Sequence, residues 1–217
     1  MKLNNKLMIG AVAAVLSLTA FAGMSTNILT TVRTNAEKGN AAAMNILGDF
    51  YFNGEHVGKD YTEAIKWYKK AAEKGNVSAM CNLGICYQYG FGASINDENL
   101  ALAIEWYKKA ADQGYARAQY HLGNCYENQK IDDKIKDKAQ RDALTAKHRE
   151  QAFPWYKKAA ENGYALAQYK LARYYEWKKN TEEAVKWYKR AAEQGIIHAQ
   201  SQLIYLAKPI PKKASAK

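Results

Sequence analysis

Apolar positions along the chain recur in two helical patterns. Ala43, Leu47 and Tyr51, and again Ala79, Leu83 and Tyr87, fall at i, i+4 and i+8, which puts each set on one side of a helix. A second stripe, Ala64, Tyr68, Ala71, Ala72 and Gly75, sets small residues around one tyrosine. Its alanines let a neighbouring helix come close, and its glycine supplies the left-handed residue that ends a helix. The unit is therefore helix, loop, helix, glycine.

That unit is repeated. The block Trp67 to Gly75 (WYKKAAEKG) returns as Trp106 to Gly114 (WYKKAADQG), Trp155 to Gly163 (WYKKAAENG) and Trp187 to Gly195 (WYKRAAEQG). A weaker copy, NAEKG, ends at Gly39, so the closing glycines stand at 39, 75, 114, 163 and 195. The first-helix block follows each of them, as Ala43-Met44-Asn45-Ile46-Leu47-Gly48, then at Ala79, Ala118 and Ala167, and last as Ala199-Gln200-Ser201-Gln202-Leu203-Ile204. One hairpin cannot bury its own stripe, so neighbours must stack into a solenoid with an atypical unit at each end. The boundaries read as a half-repeat cap at 23–39, repeats at 40–75, 76–114, 115–163 and 164–195, and a lone capping helix at 196–207. The tail 208–217 (KPIPKKASAK) is basic and broken by proline, and is expected to be disordered.

The motif A-x-x-x-L-G-x-x-Y, loop glycines (Gly54 and Gly58; Gly90 and Gly92), and A-x-x-W-Y-x-K-A-A-x-x-G together resemble the Sel-1-like repeat (SLR) family, related to tetratricopeptide repeats. The resemblance runs from about Thr26 to Ala207. Repeat three departs from it, with no loop glycines and a long insertion, and repeat four has a trimmed loop. It implies an all-α, right-handed α/α solenoid whose first helices line a concave surface, and a scaffold or adaptor with no chemistry of its own. Related exported proteins imply two alternatives: a periplasmic immunity protein neutralising a secreted lipase-type toxin, and a penicillin-binding or β-lactam-hydrolysing protein.

Composition agrees with a folded helical chain: 48% hydrophobic residues, 16 Tyr, 5 Trp and only 3 Pro among 217. The N-terminus changes the reading of its charge. Lys2 and Lys6 precede an apolar run from Leu7 to Ala22, which ends in the small-x-small site Ala20-Phe21-Ala22. This is the pattern of a signal peptide, residues 1–22, and it predicts a periplasmic or secreted protein without stable membrane insertion after cleavage. Cleavage would remove two lysines and no acid, taking the net charge from +11 to +9.

Candidate partner-binding residues come from the first-helix positions turned away from the core. They include Phe52, Tyr120, Tyr169 and Arg173, with His121 and Trp177 just off that face. Aromatic and arginine enrichment of this kind marks protein-binding anchors. The insertion Gln129 to Ala152, with seven Lys/Arg and five Asp/Glu, is a second candidate. Ile131 and Ile135 predict a helix there, ending before Pro154 opens the next one.

Other chemistry has little support in the sequence. His56, His121, His148 and His198 lack metal-ligand spacing, and neither a cofactor motif nor H-E-x-x-H occurs. Gly54 to Lys59 is one residue short of a phosphate loop, and S-x-x-K, S-D-N and K-T-G are absent. The lysine ladder at 69, 70, 108, 109, 157, 158 and 189, continued by Arg190, belongs to the repeat block, so it reads as a solvated outer face rather than a nucleic-acid site. Cys81 and Cys86 diverge on one helix. The expectation is buried free thiols at Cys86 and Cys125, a more exposed Cys81, and a monomeric protein whose partner is another protein.

Overall fold

The computed structural model describes residues 27–207, so the expected signal peptide and the basic tail lie outside the described residues. All secondary structure among the described residues is helical: α1 (27–37), α2 (Ala41–Asn53), α3 (Tyr61–Glu73), α4 (Val77–Tyr89), α5 (Asp97–Ala111), α6 (Ala116–Glu127), α7 (Lys138–Glu161), α8 (Ala165–Trp177), α9 (Thr181–Glu193) and α10 (Ile197–Leu206). The all-α repeat fold expected from the sequence is the one observed. Two compact units divide the chain after Ala103, within α5.

The helix boundaries follow from local chemistry. The closing glycines at 39, 75, 114, 163 and 195 all have φ between 82° and 92°, a region that costs a residue with a Cβ 1–2 kcal/mol or so. In the first unit an asparagine follows the glycine and caps the next helix. Asn40 accepts from the Ala43 amide at 2.9 Å and Asn76 from the Ala79 amide at 2.8 Å. In the second unit Tyr115 and Tyr164 hold that position and make no side-chain cap. Tyr164 instead packs its ring 5.2 Å from Tyr120.

Within each hairpin the two stripes meet through a small residue and a tyrosine. A Cβ placed on Gly48 would lie 2.6 Å from the Tyr68 ring, and one on Gly123 would lie 2.7 Å from Tyr156. The glycine therefore lets the buried ring cross directly over the first helix. In the last hairpin Ala172 stands where the glycine was, in one core cluster with Tyr188, Leu171 and Trp187. On the outer side Lys70, Lys109, Lys158 and Arg190 each fold over the tryptophan three residues earlier, at 4.2 to 4.8 Å from the ring centre.

Two local expectations are corrected. Residues 128–137 are not helical. Asp132 accepts from the Lys134 amide at 2.9 Å, a turn that competes with helix, and Asp137 then caps α7 by accepting from Gln140 at 2.7 Å. From there one helix of 24 residues runs through Pro154, which starts no new one. The proline leaves the Glu150 carbonyl without its helical donor, and both residues are exposed, so water can serve that group. The second correction is Cys81, which is fully buried alongside Cys86 and Cys125. The same register position holds Asn45, Tyr120 and Tyr169, all half-buried. The larger side chains there stay partly uncovered, whereas the short thiol is covered completely.

Candidate functional site

The second unit carries a cleft of about 600 Å³ built on the C-terminal half of α8. Tyr169, Arg173, Glu176 and Trp177 fall at i, i+4, i+7 and i+8 of that helix and face it together. One wall comes from the end of α6 through Glu127, another from α7 through Arg149 and Tyr156, and Gln202 of α10 closes the far side.

α7 is 24 residues long against 13 for α3, and its extra length docks on α8. Phe153 stacks on Tyr174 with ring centres 4.2 Å apart. Glu150 accepts from the Tyr174 hydroxyl at 2.5 Å and pairs with Lys178. Arg149 lies over the Trp177 ring at 5.3 Å. The insertion thus does not stand away from the repeats; it supplies the cationic lip of the cleft.

At the cleft floor sits a hydrogen-bonded cluster. The Tyr156 hydroxyl lies 2.7 Å from both Asn124 Oδ1 and Glu127 Oε2; it has one proton, and the carboxylate is the stronger acceptor. Lys170 Nζ donates to the same carboxylate at 2.5 Å. Burial pushes the Glu127 carboxyl up, but hydrogen bonds from Lys170 and Tyr156 and the charges of Lys170 and Arg173 more than offset it, leaving it below the usual range. Burial, followed by the charge of Glu127, raises the Tyr156 hydroxyl well beyond the ordinary tyrosine range, so it stays protonated. Nearby, Glu176 accepts from the Tyr188 hydroxyl at 2.6 Å. Both carboxylates of the cleft therefore accept a tyrosine hydroxyl, and Glu127 is also paired with a cation. Arg173 is exposed, and among the described residues no hydrogen bond or ion pair engages its guanidinium.

The six sequence candidates separate into three groups. Tyr169, Arg173 and Trp177 come together in the cleft. Tyr120 and His121, on α6, pack into the aromatic interior: Tyr120 against Tyr164 and Tyr156, and His121 parallel to Tyr107 at 5.2 Å. Burial, assisted by the charge of Arg117, holds His121 down at about 4. Phe52 belongs to the first unit, in a triad with Tyr61 and Phe91 whose ring centres are 5.1 to 5.2 Å apart. The sequence reading did not single out Arg149 and Tyr174 as site residues. Arg149 lies in a segment read as a separate helix, and only the continuity of α7 through Pro154 brings it to α8.

Burial raises the Cys86 and Cys125 thiols to about 12, with the Asp49 charge adding to the effect at Cys86. Thiols so placed are packing groups and not nucleophiles at neutral pH. No helix among the described residues is long and apolar enough to cross a membrane.

The chain matches the Sel1 repeat family over residues 41–76, 77–115, 116–140, 147–164 and 165–196. Among solved structures it is similar to a Sel1 repeat protein from Oxalobacter formigenes, at 30% identity and a TM-score of 0.62, covering 87% of this chain and 72% of that one. It is also similar to the immunity protein Pa5087 from Pseudomonas aeruginosa, at 25% identity and a TM-score of 0.52, covering 80% of this chain and 60% of that one. A stretch of 58 residues is 43% identical to the ERAD-associated E3 ubiquitin-protein ligase component HRD3A of Arabidopsis thaliana; it makes up 26% of this chain and spans only 9% of that protein. With the family matched across most of the chain and its helix hairpins present throughout the described residues, this protein belongs to the Sel1 repeat family.

Proposed function

We propose that the chain is an exported, non-enzymatic adaptor whose second unit grips an acidic segment of a partner protein in the cleft between α7 and α8. One observation carries the reading. Arg173 stands exposed and unpaired in a cleft whose own carboxylates, Glu127 and Glu176, are both already hydrogen-bonded. An arginine flanked by Tyr169 and Trp177 has the composition of a binding hot spot, and a second guanidinium, Arg149, lies within the same cleft. A carboxylate of the partner would complete the charge balance that the cleft leaves open. Export is supported by Lys2, Lys6, the apolar run to Ala22 and the small residues at 20 and 22. Affinity capture from an envelope fraction is the test, with the intact chain beside Arg173→Glu. The expected result is a partner held by the intact chain and lost by the variant; equal capture by both would remove the cleft from the account.

A second reading is that of an immunity protein, supported by the similarity to Pa5087. It requires the captured partner to be an enzyme that loses activity on binding at one-to-one stoichiometry, and an unaffected partner would leave the adaptor reading alone.

A further inference from the structure

Two halves of a repeat are left unmatched, one at each end of the described chain. α1 has the register of a second helix, since it closes on Gly39 as α3 closes on Gly75 and α9 on Gly195. α10 has the register of a first helix, beginning its motif at Ala199 as α2 does at Ala43.

Their contact positions differ from the internal repeats in a reciprocal way. Seven residues before the closing glycine every internal second helix has a tyrosine: Tyr68, Tyr107, Tyr156 and Tyr188. α1 has Val32. Five residues after the leading alanine every internal first helix has Gly48, Gly84, Gly123 or Ala172. α10 has Ile204. Opposite a tyrosine the position holds nothing larger than the methyl group of Ala172, and in two repeats a Cβ on Gly48 or Gly123 would already come within 2.6 to 2.7 Å of the ring, so a branched side chain there crowds a tyrosine. It fits a second helix in which the tyrosine has been cut back, and α1 is the second helix of that kind in this chain. Val32 is half-buried and Ile204 stands open. Ile204 is 65% exposed, whereas Gly48, Gly123 and Ala172 are buried. A shallow groove on α1 is lined by Asn27, Ile28, Thr31 and Val32.

A polar contact is reciprocal as well. Gln119 and Gln168 each donate to a carbonyl of the preceding helix, Ala111 and Ala160, and each accepts from the residue before the closing glycine of its own repeat. Those donors are Asn162, at 3.1 Å, and Gln194, at 2.7 Å. Gln200 repeats the first half by donating to the Ala192 carbonyl at 3.5 Å, and it is exposed. The residue before Gly39 is Lys38, a donor with the required reach.

We propose that the chain self-assembles head to tail, α10 of one copy docking on α1 of the next to compose a complete repeat. Ile204 packs on Val32, and Gln200 accepts from Lys38. The contact is heterologous, so it propagates into open chains unless the rotation closes a ring. It goes beyond the adaptor reading and does not depend on the cleft.

Sedimentation velocity of the full chain from micromolar to near-millimolar concentration tests it, with thermal melts to show that each variant folds. The sedimentation coefficient is expected to rise with concentration. Val32→Tyr, which meets Ile204 with a ring, is expected to weaken association about tenfold or more; adding Ile204→Gly, which restores the internal pair, is expected to recover it. Val32→Asp and Ile204→Asp should each stop assembly alone, yet form one-to-one dimers when mixed, each supplying its intact end. A wild-type chain that stays monomeric at every concentration would overturn the proposal. So would Val32→Asp that still self-associates, since that points to tail-to-tail pairing or to association through residues 7–22.

Discussion

The two units build the same kind of pair from different register positions and finish it differently: Asp49 stands where Asn124 does, whereas Glu127 lies one turn further along its helix, in the register of Phe52. In the first, the Tyr68 hydroxyl donates to Asp49 at 2.7 Å, and the carboxylate is completed by the neutral Asn82 amide at 3.2 Å. In the second, Tyr156 donates to Glu127 and the completion is a cation, Lys170. The register positions of Arg173 and Trp177 in the second unit are those of Ile85 and Tyr89 in the first. Repeat architecture thus needs the buried tyrosine and an acceptor for it. What completes the acceptor is open to variation, and in the second unit that variation produced a charged cleft. The outer lysines and tryptophans, in contrast, do the same work in both units.

Several measurements would break or sharpen this comparison. The largest expected effect concerns His121, whose Nδ1 is buried in the second unit without a hydrogen-bond partner. Its folded value, about 4, lies below its ordinary 6.5. The unfolded chain therefore binds a proton that the folded chain refuses as pH falls from 6.5 to 4. Stability is retained above that window and lost within it, by up to about 3 kcal/mol. Urea melts across the window should show the loss, and His121→Phe should flatten it.

Next comes the completion of the carboxylate. Lys170→Met leaves Glu127 with the Tyr156 hydrogen bond and the charge of Arg173, and is expected to cost about 2–3 kcal/mol, reduced from a fully buried pair because both side chains are about a quarter exposed. Asn82→Ala, its counterpart in the first unit, removes a neutral donor and should cost about 1 kcal/mol. Equal losses in denaturant melts would mean that the charge in the second unit adds nothing. Asn76→Ala, which uncaps α4, is also expected to cost about 1 kcal/mol, whereas Tyr115→Ala at the equivalent start of α6 loses no cap. The smallest effect on stability belongs to Arg173→Gln, expected within about 0.5 kcal/mol of the parent because the side chain is exposed and makes no hydrogen bond or ion pair among the described residues.

Much of the fold could be read from the sequence because the repeat exposes its own grammar. Closing glycines, the buried tyrosine and the small residue beneath it recur at fixed offsets, and the helix boundaries follow them closely. The site was only partly legible. Tyr169, Arg173 and Trp177 share a helical face, so periodicity alone brings them together. Tyr120 and His121 have the same register as Tyr169 and Lys170, but Tyr164 and Tyr107 draw their rings inward, a tertiary choice that periodicity does not contain. Arg149 was hidden because Pro154 reads as a helix start, when its missing donor is tolerated at an exposed turn. Cys81 shows the limit at a single position, where register sets the direction of a side chain and its length decides whether it reaches solvent.

The central claim is that partner recognition belongs to the charged cleft of the second unit and not to its counterpart in the first. A photo-cross-linking residue placed at 177, and in a separate chain at 89, tests it most directly in the presence of an envelope fraction. The account expects one protein cross-linked from position 177 and none from position 89. Cross-links from position 89 with none from 177 would contradict it.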